Sequence, residues 1–386
     1  MQVDQLRALA LLLEWLGPWA PPRAMPRGVR RDRWLLRAGD VPGRRGRKAG
    51  ARRPPGATTQ LEVHELRSAG PTVGTFLVVP GLHFDGPDDP RFERFCRVLA
   101  HAGFRVVVPT LPTYAELVVH PSAVDDLELV ARELGHRMAP GERFTLFSIS
   151  FGSWPALEVA ARVPELADAV VTFGGYADFD AAIRFCVDGV MRRPGGDQQL
   201  ARDPLNQPAL FLNVLPWLDV PIEHHVPLAE AWREMTYRTW GRMELKAPGR
   251  LGPFAEQLAP RVAPEARELF LIGCGVREGG AALIESALER AGQAAAFASP
   301  RSALGRIQCP VVVCHGRDDD VIPWGEAEKL YAAARSRVPS RLLLTGLYGH
   351  TGAGRPSPLA LGREASTLLQ IARVLAAGGR VREVLR

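Results

Sequence analysis

The chain has 386 residues, of which 46% are hydrophobic, so it can bury a sizeable core as two domains or as one large α/β unit. Its net charge of +6 comes from one stretch: residues 21–54 carry twelve Arg or Lys against two Asp, whereas residues 55–386 sum to −3, so nucleic-acid binding by the whole protein is not expected. Five cysteines without C-x-x-C spacing argue against a disulfide framework or zinc knuckle and favour a reducing, cytoplasmic compartment.

The first 57 residues are predicted to form an apolar helix followed by a basic leader rich in proline and arginine. Residues 5–17 are too few to span a bilayer, and Asp4 stands where a signal peptide needs basic residues. An apolar helix beside arginines can lie on an anionic membrane surface, so residues 1–54 are a candidate for peripheral membrane contact. Packing of the helix on the body, or a disordered leader, is the alternative.

From about residue 58 the pattern alternates between short apolar strands and helices. This alternation predicts a mostly parallel sheet with helices on both faces, because wholly apolar strands are typical of sheets that are covered on both sides. Strands are predicted over residues 59–66, 75–80, 104–108, 144–149 and 167–173, and helices over residues 89–101, 121–136 and 151–163.

The alternation stops after residue 177, where helical patterns take over. Four helices are predicted there, over residues 180–191, 207–218, 228–243 and 278–291, and they are enough for an inserted cap or lid. The sheet then resumes with strands at 310–314 and 341–345 and helices at 324–335 and 358–376. We therefore divide the chain into residues 1–57 (leader), 58–177 (core), 178–308 (helical cap) and 309–386 (core).

The most informative stretch is F-T-L-F-S-I-S-F-G, residues 144–152. A buried strand that turns into a helix at a serine is typical of a nucleophile elbow, and here that serine is Ser150. The turn needs small residues two positions before and after the nucleophile, which are Ser148 and Gly152. Glycine is usual at both, so Ser148 is a departure from the pattern. A structural serine-rich turn is the alternative interpretation.

A serine nucleophile needs an acid and a histidine base, which follow it in the chain in elbow-type enzymes. The acid is predicted in V-V-V-C-H-G-R-D-D-D-V-I-P, residues 311–323, where Asp319 is the preferred candidate. Its neighbours would cap the next helix or stabilise the turn. The acid could also lie one strand earlier, and the alternatives on these two loops are Asp318, Asp320, Asp178 and Asp180.

The predicted base is His350, on a glycine-flanked loop just after the last strand. The oxyanion of a tetrahedral intermediate needs backbone N–H donors, and Leu82 and Phe151 are the candidates because one follows Pro80-Gly81 and the other follows the nucleophile. Two adjacent histidines in the insertion, His224 and His225, lack further ligands at a recognisable metal spacing, so no metal site is expected.

Taken together, these motifs resemble the α/β-hydrolase superfamily over residues 58–177 and 306–380. The resemblance is carried by Ser150 in S-I-S-F-G, Asp319 in H-G-R-D-D-D-V-I-P, His350 in Y-G-H and the P-G-L-H loop. Ser148 and Pro80 depart from the residues that many members carry. The resemblance implies an α/β-hydrolase-type fold with an inserted cap and no metal or organic cofactor.

The expected function is hydrolysis of a carboxylic ester or thioester through an acyl-enzyme. Aromatic and aliphatic residues in the insertion favour a small-molecule substrate with an apolar part. An acyltransferase would use the same triad, and a non-catalytic α/β-hydrolase-like binding protein is the alternative from another class. A peptidase is less favoured, as is a haloalkane-type enzyme, which would need Asp in place of Ser150.

Overall fold

A central sheet of eight strands organises the molecule. The computed structural model describes residues 3–21, 23–37, 60–347 and 358–385. The strand order is β1-β2-β4-β3-β5-β6-β9-β10. In chain order the strands are β1 Val29–Arg37, β2 Gln60–Ser68, β3 Thr75–Val79, β4 Arg105–Pro109, β5 Phe144–Ile149, β6 Ala167–Phe173, β9 Val311–Gly316 and β10 Ser340–Thr345, with a separate two-stranded hairpin of β7 Val190–Met191 and β8 Gln198–Gln199.

The sheet is mostly parallel. Strand β2 runs antiparallel to both β1 and β4, whereas every pairing from β4 across to β10 is parallel. In the centre, Leu77 of β3 lies between Val107 of β4 and Leu146 of β5. The parallel sheet predicted from the alternation of strands and helices is therefore confirmed.

Two apolar cores cover the two faces, because successive side chains of a strand point in opposite directions. Phe76 and Val78 belong to the core beneath α1 (Val3–Leu16), α2 (Pro90–His101) and α14 (Pro358–Ala376). Leu77 and Val79 belong to the core on the other face. The helices around the sheet are α1 Val3–Leu16, α2 Pro90–His101, α3 Pro112–Ala115, α4 Ser122–His136, α5 Ser153–Arg162, α13 Gly325–Arg335, α14 Pro358–Ala376 and α15 Val381–Val384.

The segment that we predicted as a helix and a basic leader contributes two elements to this body. Helix α1 buries Ala8 and Leu12 in the core on the α2 and α14 side. Strand β1 forms an edge of the sheet, pairing from Val29↔Ser68 to Arg37↔Gln60, and it was not foreseen from the sequence. Charged residues on an edge strand are common because they discourage pairing with other chains. Of the described helices, none is long and apolar enough to cross a membrane.

The stretch between β6 and β9, here called the helical insertion, consists mainly of helices and also holds the β7–β8 hairpin. It packs into the same core as the helices on the α4 and α5 face, through large buried side chains such as Phe211, Trp232 and Phe270. Its helices are α6 Phe179–Asp188, α7 Gln207–Val214, α8 His225–Thr239, α9 Gly252–Leu258, α10 Arg267–Gly273, α11 Gly280–Ala291 and α12 Arg301–Leu304.

Candidate active site

Ser150 lies at the sharp turn between β5 and α5. Its backbone φ is +53°, and in the described part of the chain only one other non-glycine residue, Leu117, has a positive φ. A single 3₁₀ turn, Ser150–Gly152, joins the strand to the helix. A left-handed conformation costs a non-glycine residue about 1–3 kcal/mol and persists only where its surroundings fix it. Such strain at the first residue after a buried strand is characteristic of a nucleophile elbow.

The turn is packed tightly against the end of β3, which explains the need for glycine. A Cβ atom at Gly152 would lie 2.4 Å from the carbonyl oxygen of Pro80 and 3.0 Å from that of Val79. A Cβ at Gly81 would lie 3.3 Å from the Cβ of Ser150. The Pro80-Gly81 loop and the serine turn therefore hold each other in place.

Position 148 accepts serine in place of glycine because its side chain fits in the sheet behind the turn. Ser148 pairs with Val79 of β3 and with Thr172 of β6, and it is fully buried. Within the described residues, the hydroxyls of Ser148, Thr172 and Ser153 have no hydrogen-bond partner. An unpaired buried hydroxyl lowers stability, so Ser148 is tolerated here rather than required.

A buried tyrosine secures the residue after the nucleophile. The Tyr114 hydroxyl, from α3, donates a hydrogen bond of 2.9 Å to the carbonyl oxygen of Phe151. Burial raises the pKa of Tyr114 far above its ordinary value, so the hydroxyl keeps its proton. The sequence offered no signal for this contact, because it joins residues 37 positions apart.

Ser150 lines a cavity of about 120 Å³, and residues of the helical insertion form part of its wall. The predicted oxyanion donors Leu82 and Phe151 line it together with Ser150. In the described part of the chain, the Leu82 N–H donates no hydrogen bond, which leaves it available to a ligand. The walls from the insertion include Phe179, Ile183, Leu205, Leu210, Trp240, Met243 and Lys246.

Asp319 is buried on the loop after β9. Its Oδ1 accepts the backbone N–H groups of Val321 (2.9 Å) and Ile322 (2.8 Å). Its Oδ2 is 3.4 Å from Nε2 of His315, whose nearer partner is the Ile322 carbonyl oxygen at 2.9 Å. Val321, two residues further on, lines the serine cavity. The carboxylate is therefore held rigidly, next to the wall of that cavity.

The alternative acids have other partners. Asp178 accepts a 2.6 Å hydrogen bond from Arg301, Asp180 lies 3.7 Å from Arg184, and Asp318 is exposed. Asp320 is one of two carboxylates that hold Lys246. Of the five candidate acids, Asp319 alone is buried, and its assignment as the acid stays a prediction.

His350 lies outside the residues that the structure describes, so its predicted role as the base stays a prediction. The histidine that the described residues do bring to Ser150 is His83, which lines the same cavity. Its Nδ1 accepts the Asp85 N–H at 3.1 Å, so Nε2 carries the proton and points towards Asp89 Oδ2 at 3.5 Å. Burial lowers the pKa of His83 below its ordinary value, so the imidazole is neutral at pH 7.

Sequence reasoning missed the place of His83 in the cavity, although its position four residues after β3 was a signal. It stacks on Phe84 with 4.5 Å between ring centroids, and Trp240 of the insertion lies 5.5 Å away. These aromatic contacts connect the loop after β3 to the insertion. His83 and Trp240 both line the cavity, so this part of its wall is aromatic.

A second polar link joins the insertion to the loop that carries Asp319. Lys246 Nζ lies 2.8 Å from Asp203 Oδ2 and 2.6 Å from Asp320 Oδ2, and the Asp203 N–H donates to the Asp320 carbonyl oxygen. Both carboxylates raise the pKa of Lys246 against the opposing effect of burial, so the ammonium group stays charged. Asp203 and Lys246 both line the cavity, and nothing in the sequence pattern indicated their pairing.

Among the described residues, no group of three or more His, Cys, Asp or Glu side chains is arranged to hold a metal ion. The described cysteines are buried and free. Cys186 lines the same cavity as Ser150. Burial raises the pKa of its thiol to about 12, so this thiol is not a nucleophile at neutral pH. Among the described residues that line the cavity, Ser150 is the one non-glycine residue with a positive φ.

Comparisons with solved structures find partial similarity at low sequence identity. The chain is similar to Pyrococcus horikoshii acylaminoacyl peptidase (11% identity, TM-score 0.45), covering 89% of this chain but only 41% of the peptidase. It is also similar to an esterase domain of a Rhodothermus marinus protein (13%, TM-score 0.43, 90% and 97% coverage) and to esterase Est22 (12%, TM-score 0.44, 96% and 86% coverage). No family model and no curated protein matches the chain.

The fold is defined by the strand order, the antiparallel second strand, the sharp turn after the fifth strand and the helical insertion after the sixth. This is an α/β-hydrolase-type fold, as the sequence motifs predict.

Proposed function

We propose that the protein is a serine hydrolase that cleaves a carboxylic ester or thioester with an apolar part. Ser150 is the nucleophile, His350 the base and Asp319 the residue that orients the base, while the N–H groups of Leu82 and Phe151 bind the oxyanion. The helical insertion serves as a cap over the site. No metal or organic cofactor enters this mechanism.

One observation carries the proposal above the others: Ser150 is held at φ +53° with its side chain lining a cavity beneath the insertion. The surroundings maintain this strain through the contact of Gly152 with Pro80 and the hydrogen bond from Tyr114 to Phe151. A purely structural turn has no use for a strained serine aimed into a cavity, whereas acyl transfer needs a nucleophile fixed in advance.

In the reaction, Ser150 Oγ attacks the carbonyl carbon of the substrate while His350 takes the hydroxyl proton. The carbonyl oxygen gains negative charge, which the Leu82 and Phe151 N–H groups neutralise by hydrogen bonding. Collapse of the tetrahedral intermediate breaks the ester or thioester bond, and His350 returns the proton to the leaving alcohol or thiol. Water then attacks the acyl group on Ser150 by the same steps and releases the acid.

The electrostatics around the serine favour this sequence. The N-terminus of α5 lies directly behind Ser150, and its partial positive charge stabilises negative charge at the turn. Asp319 is fixed by two backbone N–H groups, which holds a carboxylate in one orientation for a histidine partner. Each oxyanion donor is worth about 2.7–4 kcal/mol in the transition state.

The test is a panel of p-nitrophenyl esters and acyl thioesters with the full-length protein and five variants. We expect Ser150→Ala and His350→Gln to lose about 10⁴-fold or more in kcat, and Asp319→Asn about 10⁴-fold. Ser148→Ala, a serine two residues from the nucleophile, is the matched control and should keep turnover. His83→Gln separates the two histidines, because only loss of the base abolishes acyl-enzyme formation.

The outcomes distinguish three activities. Free acid as the only product supports a hydrolase, whereas an acyl product that appears only with an added alcohol or amine supports an acyltransferase. No turnover of any ester or thioester by the folded wild-type protein would overturn the proposal and favour a binding protein. Equal loss in His83→Gln and His350→Gln would contradict the assignment of the base.

A further inference from the structure

Ser150 borders two cavities rather than one. The second cavity has a volume of about 360 Å³ and shares only the loop after β3, Arg91 and Ser150 with the first. It extends from the serine towards the opposite face of the sheet, where α1, α2 and α14 pack. An acyl group on the serine oxygen would therefore have a separate space on each side of it.

The lining of the second cavity is apolar beyond its mouth. Among the described lining residues, the polar ones are Ser150, His83, Asp89 and Arg91, all of which are at the serine end. The remainder comes from the loop after β3, from strands β5 and β6, and from helices α1, α2 and α14. The apolar wall includes Leu12 of α1, Phe95 of α2, Phe173 of β6, and Ile371, Ala372 and Leu375 of α14.

The second cavity is much larger than the voids that imperfect packing leaves in protein interiors. Protein interiors contain few voids larger than a water molecule, and a cavity of about 150 Å³ lined by Leu, Ile and Phe stays dry and admits a benzene ring. By that measure, about 360 Å³ has room for roughly ten to fourteen carbon atoms. An unbranched acyl chain is the simplest group of that length without polar atoms.

We propose that this cavity binds the acyl chain of the substrate, a fatty acyl group of roughly ten to fourteen carbons, and that helix α1 forms part of its wall. The assignment rests on the proposed function, because it is the acyl group on Ser150 that enters the cavity. The smaller cavity, with Asp203, Asn206, Asn213 and Lys246 among its walls, receives the alcohol or thiol part. This moves the origin of acyl specificity away from the insertion, to the N-terminal helix and α14.

The first experiment measures kcat/KM for p-nitrophenyl esters from acetate to palmitate. We expect kcat/KM to rise with chain length by up to about fourfold per methylene and to level off where the cavity is full. Ala372→Phe places a ring inside the cavity and should shift the preferred ester to a shorter acyl chain by several carbons. Leu375→Ala enlarges the cavity and should shift the preferred ester to a longer one.

Val374→Ala is the matched control for Leu375→Ala. Val374 is an adjacent and equally buried residue of α14 that is not among the cavity lining, so it loses packing without changing the cavity. The control should keep the wild-type profile of chain lengths. An unchanged profile in both Ala372→Phe and Leu375→Ala, with circular dichroism like the wild type, would overturn the proposal.

A binding measurement separates this proposal from the proposed function. Decanoate is titrated calorimetrically into full-length Ser150→Ala, and into that variant carrying Ala372→Phe or Val374→Ala in addition. We expect Ala372→Phe to weaken decanoate binding at least tenfold and Val374→Ala to leave it unchanged. If Ser150→Ala binds decanoate but the wild type turns over no ester, the hydrolase assignment is wrong and the acyl site is supported. If the wild type turns over esters but Ser150→Ala does not bind decanoate, only the acyl site is contradicted.

Discussion

The close contact between Gly152 and the end of β3 predicts that Gly152→Ala lowers both stability and catalysis. A single added atom, the alanine Cβ, is responsible for both effects. Gly152 has φ −64° and ψ −15°, so alanine suits its backbone and the full cost of Gly152→Ala lies in the new Cβ. That Cβ would meet the Pro80 carbonyl oxygen at 2.4 Å and the Val79 carbonyl oxygen at 3.0 Å. Both are backbone atoms, which cannot move aside as a flexible side chain can.

Two losses follow from this displacement. Overpacking of this kind costs about 1–3 kcal/mol of unfolding free energy. The atoms that must shift belong to the loop that carries the Leu82 N–H, and one misplaced oxyanion donor costs about 2.7–4 kcal/mol in the transition state. We therefore expect kcat/KM to fall about 10²–10³-fold in protein that is still folded at 25 °C.

The assay is urea unfolding followed by circular dichroism, together with turnover of a p-nitrophenyl ester. Gly252→Ala is the matched control, since Gly252 lies in the first turn of α9 with no atom within 4 Å of an added Cβ. This control should be stabilised by about 0.4–1 kcal/mol with turnover unchanged. Wild-type stability and turnover in Gly152→Ala would refute the reasoning about the elbow.

Three further predictions test the surroundings of the site. Tyr114→Phe removes the hydrogen bond to the Phe151 carbonyl, so we expect a loss of about 1–3 kcal/mol in urea unfolding and a lower kcat with KM little changed; equal kcat would show that the bond does not position the turn. Ser148→Ala removes a buried hydroxyl without a partner in the described residues, and its unfolding free energy should equal or exceed that of the wild type. Burial and Arg31 lower the pKa of His64 in the folded state, so the unfolded state takes up the proton first as the pH falls. The free energy of unfolding in urea should therefore decrease between pH 7.5 and pH 5.5. His64→Gln should reduce this dependence on pH, and an unchanged slope would contradict the prediction.

Most of the sheet could be predicted because its strands are short, apolar and separated by amphipathic helices. The strands 167–173 and 144–149 were predicted with the bounds that the structure shows. The edge strand β1 was missed because arginines occupy much of it. An edge strand has one neighbour and one half-buried face, so its sequence resembles that of a charged loop.

The candidate site was predictable only where local sequence determines geometry. The elbow could be recognised because a strained turn imposes small residues at fixed positions around Ser150. The hydrogen bond from Tyr114 to Phe151 and the ion pair of Asp203 with Lys246 could not be recognised in the sequence, because they join distant parts of the chain. The apolar cavity beside α1 was equally invisible, since core residues and ligand-lining residues have the same composition.

Labelling with a fluorophosphonate, followed by mass spectrometry of the peptides, measures whether Ser150 is an activated nucleophile. We expect one adduct per chain, on Ser150, formed by the wild type and by Ser148→Ala but not by Ser150→Ala. His350→Gln should slow its formation strongly. An adduct on another residue, or a folded wild-type protein that takes up no label, would contradict the claim that Ser150 is an activated nucleophile.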